Sequence, residues 1–173
     1  MSDVLAITIM QRLEELGACD ESLDWISLNR HAKANTLWTG CHDPSWMMWI
    51  IFRKSPVKSP ERMRFLRLLA ELGEMTFHEE SVERVAVSTV KKYCEDGDYT
   101  SAALELQKIL DSTNNRMDNC SFLHLAQIKY LVLEDESIRP NNASFFIYRS
   151  ARKVATPMCV EIILKHYPEP PNV

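Results

Sequence analysis

The chain has 173 residues, a length that predicts one domain, and its 46% hydrophobic and 25% charged residues match proteins that build their own core. Four glycines leave little room for the turns of an all-β chain or for a Gly-rich phosphate loop, and a net charge of −4 argues against nucleic acid as a partner. The longest apolar run, Trp46 to Phe52, is too short to cross a bilayer, and the MSDVLAITIM start lacks the basic region of a secretory signal, so a cytoplasmic location away from membranes is expected.

Helical spacing dominates from the start. Leu5, Ile9, Leu13 and Leu16 form one stripe, and Gly17 follows as its C-cap. A second helix is expected from Asp20 to about His31, with Leu23, Trp25 and Ile26 apolar and Asp20 and Glu21 at the positive end of its dipole. The polar stretch from there to Gly40 reads as a loop. Three later helices carry a capping residue followed by Pro: Asp43-Pro44, Ser59-Pro60 and Thr156-Pro157. Each side-chain oxygen can accept an orphan amide, and each Pro removes an amide that has no partner there. The first of these caps makes Trp46–Phe52 a helix rather than a strand; apolar all round, it belongs in the middle of the fold.

Val82, Val85, Ala86, Thr89, Val90 and Tyr93 form the next stripe, closed by Glu95-Asp96-Gly97-Asp98. Ala103, Leu106 and Leu110 follow after a short turn, which predicts an antiparallel helical hairpin. Further stripes carry Phe122, Leu125, Ala126, Ile128, Leu131 and Val132, then Ala143, Phe146, Ile147, Ser150, Ala151 and Val154, then Val160, Ile163, Leu164 and Tyr167. The expectation is an all-α, single-domain bundle (residues 1–173) of about nine helices, compatible with stacked hairpins.

Catalytic motifs are missing: no GxGxxG, phosphate-loop GK[ST], HExxH, GxSxG or EF-hand loop occurs. Glu74, His78, Glu79 and Glu80 have the wrong spacing for a di-iron helix pair and read as acids at a helix start. Cys41-His42-Asp43 is the one place where soft and hard ligands adjoin, with His31 ten residues earlier. Neighbouring side chains point apart, and Asp43 already serves as a cap, so neither a metal nor a cofactor is expected. Five scattered cysteines without a CxxC pair suit small buried thiols in a reducing compartment. Trp25, Trp38, Trp46 and Trp49 read as core, the alternative being an aromatic wall for a partner or ligand; Trp46 and Trp49, three apart, share a side. Charge is uneven. Arg53, Lys54, Lys58, Arg62, Arg64 and Arg67 face a single acid, Glu61, and form the candidate partner-binding stretch.

Several segments resemble one family. Gly17-Ala18-Cys19 followed by Leu23 and Trp25 is similar to the GAC-x-x-x-(L/V)-x-W opening of the immunity-5-like immunity proteins of bacterial and phage genomes. Asp43-Pro44-Ser45-Trp46-Met47-Met48-Trp49 resembles that family's acidic-Pro-x-Trp-Met-x-Trp helix. Tyr93 to Gly97 and the terminal Cys159 to Pro170 are also similar, with Leu164 where the family often carries Arg. The resemblance implies a helical, non-enzymatic protein that neutralises a toxin or effector, or a phage-encoded anti-defence inhibitor. The expected function is binding to a protein partner by steric occlusion. The alternatives are a small-ligand or metal-binding protein or enzyme using the Trp and Cys41-His42-Asp43 region, and an accessory protein that self-assembles as a homo-oligomer.

Overall fold

The computed structural model describes residues 10–54, 61–113 and 156–171, the side chains of 52–54, 61 and 113 excepted. The fold is all-α, and the described residues contain no strand. They contain eight helical segments: α1 (residues 10–15), α2 (Asp20–Leu28), α3 (Ala34–Gly40), α4 (Pro44–Lys54), α5 (Glu61–Thr76), α6 (Val82–Asp96), α7 (Tyr99–Thr113) and α8 (Thr156–His166). Seven of them match expected helices. The stripes at Phe122–Val132 and Ala143–Val154, the Ser59-Pro60 cap and residues Leu5 and Ile9 lie outside the described residues.

Helix α3 corrects the expected loop before Gly40. Its Leu37 and Trp38 are buried, and with half-buried Ala34 they make the three-and-four spacing of a helical face, short enough to be hidden among polar neighbours. Helix α2 ends at Leu28, short of His31, because the Asn29 side chain donates to the Trp25 carbonyl (2.8 Å) and its backbone N–H bonds Ile26.

The glycine stops form as expected. Gly17 has φ 81°, with Ala18 N–H on the Leu13 carbonyl and Gly17 N–H on that of Glu14, the paired bonds of a Schellman motif. Gly97, φ 72°, closes α6 with a single bond from its N–H to the Tyr93 carbonyl. Asp98 then caps α7, its carboxylate accepting from Ser101 N–H (3.0 Å) and from the Ser101 hydroxyl (2.6 Å). These bonds hold the Asp98 carboxyl below its ordinary value. Asp43 caps α4 from ahead of Pro44, accepting from Ser45 N–H at 2.7 Å. Thr156 is itself the first residue of α8, so that helix starts one position earlier than the Thr-Pro pair implied.

One buried cluster joins Trp38, Met47, Met48 and Ile51 to the inner faces of α5, α6, α7 and α8. A smaller one gathers Leu13, Ile26 and Leu37. Helix α4 lies between them: Met47, Met48 and Ile51 enter the large cluster, while Trp49 packs on the small one and Ile50 on both. An apolar surface on every side of α4 is thereby accounted for. Helices α6 and α7 pack on each other as expected, and α5 packs along α6 so closely that a Cβ on Gly73 would sit 2.6 Å from Val87 Cγ2. The α6 stripe is turned by about one residue from its expected phase. Ala86, Val87, Val90 and Cys94 are buried, whereas Val85 is 45% exposed.

Candidate functional site

The sequence-derived basic stretch is divided by the fold. Arg62 is buried at 8% exposure, so it presents no charge to a partner. This corrects its place in the candidate patch: at the start of α5 it sits on the side that enters the core, one turn ahead of buried Phe65 and Leu66. Arg64 and Arg67, three apart, are both exposed. Arg64 places its guanidinium over the Tyr167 ring, 5.5 Å from the centroid, and Arg67 donates to the Cys94 carbonyl at 2.9 Å. Both therefore tie α5 to neighbouring segments. Lys58, the side chains of Arg53 and Lys54, the basic group Arg149, Arg152 and Lys153, and the acidic run Glu134 to Glu136 lie outside the described residues.

Cys41, His42 and Asp43 do not converge. Cys41 is buried, and its thiol donates to the Asp43 carbonyl at 3.4 Å. Burial raises its pKa, outweighing that hydrogen bond, so it stays a protonated thiol. Asp43 caps α4, and His42 is exposed. Among the described residues, no group of three or more His, Cys, Asp or Glu comes together as a metal set. Glu79 and Glu80 lie ahead of α6 as expected, but Glu74 sits in the last turns of α5, where it pairs with Lys91 at 2.8 Å. Cys41, Cys94 and Cys159 are buried and Cys19 is exposed, against the expectation of buried thiols throughout; Cys120 lies outside the described residues. Cys94 is pushed up to about 11 by burial.

What the fold does assemble at the surface is aromatic. The Trp25 and Trp46 rings are 5.9 Å apart, and His42 meets them edge-on at 6.4 and 6.3 Å. Asp43 sets this arrangement by starting α4 beside His42, which brings Trp46 round against α2. Trp25 and Trp46 are half-buried. Trp46 and Trp49 do not share a neighbourhood after all: Trp46 packs on the large cluster and Trp49 on the small one. One turn beyond Trp25, Leu28 is 85% exposed. It was missing from the expected apolar residues of α2 because its position falls on the polar side of that helix; an apolar residue on a charged face is the signal that marks it.

The last described element is held at several points. Trp38 Nε1 donates to the Tyr167 carbonyl (2.7 Å), while Lys165 Nζ (2.7 and 2.8 Å) and His166 Nε2 (2.8 Å) converge on the Glu71 carboxylate. Burial raises the Glu71 pKa, but its two partners outweigh it and leave the carboxyl below its ordinary value. These bonds join the end of the chain to α3 and α5, which is architecture. No helix among the described residues is long and apolar enough to cross a membrane. No family model, no curated protein and no solved structure matches the chain.

Proposed function

We propose that this chain is a non-enzymatic cytoplasmic protein that neutralises a protein partner by steric occlusion, docking it on the surface formed by Trp25, Leu28, His42 and Trp46. One observation carries the reading: Leu28, one helical turn beyond half-buried Trp25, stands 85% exposed. Trp is the residue type most enriched at binding hot spots, and a large apolar side chain left in water gains most when a partner covers it. The motif resemblance to the immunity-5-like family points to the same kind of activity. Buried thiols at Cys41, Cys94 and Cys159 suit a reducing compartment.

The test is affinity capture from nuclease-treated bacterial lysate with the tagged chain and with its Leu28→Asp variant. A stoichiometric protein retained by the first and lost by the second, with its own activity blocked by the wild-type chain, is the expected result. Equal recovery by both would move the contact elsewhere. Arg64 and Arg67 are exposed and give the second reading, a contact through the basic stretch. An Arg64→Glu, Arg67→Glu variant that alone loses the partner would establish it.

A further inference from the structure

The surface proposed above has a sign of charge. From Leu13 to Asn29 the chain carries five acids and no base. Glu14, Glu15, Asp20, Glu21 and Asp24 are all exposed. Glu15 pairs with Arg12 at 3.2 Å, and Asp20 and Glu21 complement the α2 dipole. Asp24 has neither explanation: it lies beyond the first turn and makes no ion pair among the described residues. At a spacing of four, Asp20, Asp24 and Leu28 line one side of α2, with Glu21 beside them, opposite buried Ser22 and Ile26. Arg30 and Lys33 come only after the helix has ended.

We infer that the occupant of this face is a basic protein surface, with an apolar side chain seated against Leu28 and Trp25 and Lys or Arg side chains around it. The inference rests on the reading of this surface as the docking site. A neutral apolar partner covering Leu28 would strip water from Asp24 and Glu21 without replacing it, leaving an uncompensated desolvation cost at each carboxylate. A cation arriving with the anchor removes that cost. The Trp rings favour the same sign, because an indole face attracts ammonium and guanidinium groups. A phosphate array or an anionic lipid surface meets like charge here and is repelled.

The experiment titrates the full chain with a helical Leu/Lys/Arg peptide, with the same peptide carrying Gln in place of each base, and with a Glu version. Binding is read from tryptophan fluorescence and from indole N–H shifts in NMR spectra. The proteins are wild type, Asp24→Lys, Leu28→Ser and a control of equal charge change, Glu105→Lys on exposed α7, all checked for unchanged helicity and melting. The expected result is binding of the basic peptide that weakens with salt. It should weaken about tenfold or more in Asp24→Lys and Leu28→Ser, and little in Glu105→Lys. Equal binding of the Gln peptide, still lost in Leu28→Ser, would overturn the basic partner while leaving the docking surface standing. Equal weakening in Glu105→Lys would reduce the effect to net charge and overturn it too. If no peptide gives a response that the α2 variants alter, the inference and the surface beneath it both fall.

Discussion

Gly17 and Gly97 both hold left-handed backbone at helix ends, which a side chain resists by contact between Cβ and its own carbonyl. Gly17→Ala is expected to cost about 1 kcal/mol, seen as a lower urea midpoint with unchanged slope. Gly73 differs: its backbone is ordinary, and the obstruction is Val87 on α6. Gly73→Ala should therefore cost about 1–3 kcal/mol through overpacking, and Val87→Ala in the same chain should return part of it. Additive losses in that double variant would mean the two helices do not meet at this point. Thiol chemistry reports burial at the same scale. In a Cys120→Ser background, a disulfide reagent should modify Cys19 first, while Cys41, Cys94 and Cys159 wait for the fold to open. The glycine stops and the Asp43 cap were legible in the sequence because their physics is confined to a few consecutive residues. Which thiol is exposed was not, since no local pattern distinguishes Cys19 from Cys159.

Helix α8 and Tyr167 just beyond it are fastened at three points to two elements, through Trp38 on α3 and through Arg64 and Glu71 on α5. Trp38→Phe keeps most of the ring volume but strands the buried Tyr167 carbonyl, an expected loss of about 1–3 kcal/mol in urea unfolding. Glu71 sets a pH dependence whose sign follows from its lowered carboxyl. Its contribution is present above the ordinary value of 4.5 and is lost as the pH falls through the lower folded value. The pair is partly exposed, so the effect is under about 1 kcal/mol, and Glu71→Gln should flatten the acid limb of the stability curve by that amount. Lys91, raised by its pairing with Glu74, acts with the opposite sign, supporting the fold below its ordinary value and ceasing to do so as the pH rises past its folded one. Most helices at this scale were readable from period and caps. Helix α3 was missed because seven residues give a face only three side chains long. The α6 stripe was turned because both phases contain β-branched residues, and only the position of α5 selects between them.

Trp38 of α3, the centre of α4 and the inner faces of α5 through α8 share one buried cluster, so they are expected to unfold together. Ending the chain at Ala155 removes Cys159, Ile163 and Tyr167 from that cluster. The truncated chain should keep much of its far-ultraviolet helical signal while losing the near-ultraviolet signal and sharp melting of a packed interior. A cooperative melt in the truncated chain would show that α1 to α7 hold their core without α8.

The sequence by itself determined the helical class, most helix positions and their stops, because each depends on hydrophobic period, a capping oxygen or a glycine within one or two turns. It also picked out the run of bases from Arg53 to Arg67. Only the tertiary structure decided what these side chains are for. Arg62 went inward and Arg64 and Arg67 were tied to neighbouring segments, while Trp25, His42 and Trp46 were gathered from α2 and the start of α4 into one surface. Leu28, one turn along α2 from Trp25, was left in water. The physical reason is distance along the chain: a local pattern fixes which face of a helix is apolar, but whether a residue at the margin of that face is covered depends on elements far away in sequence.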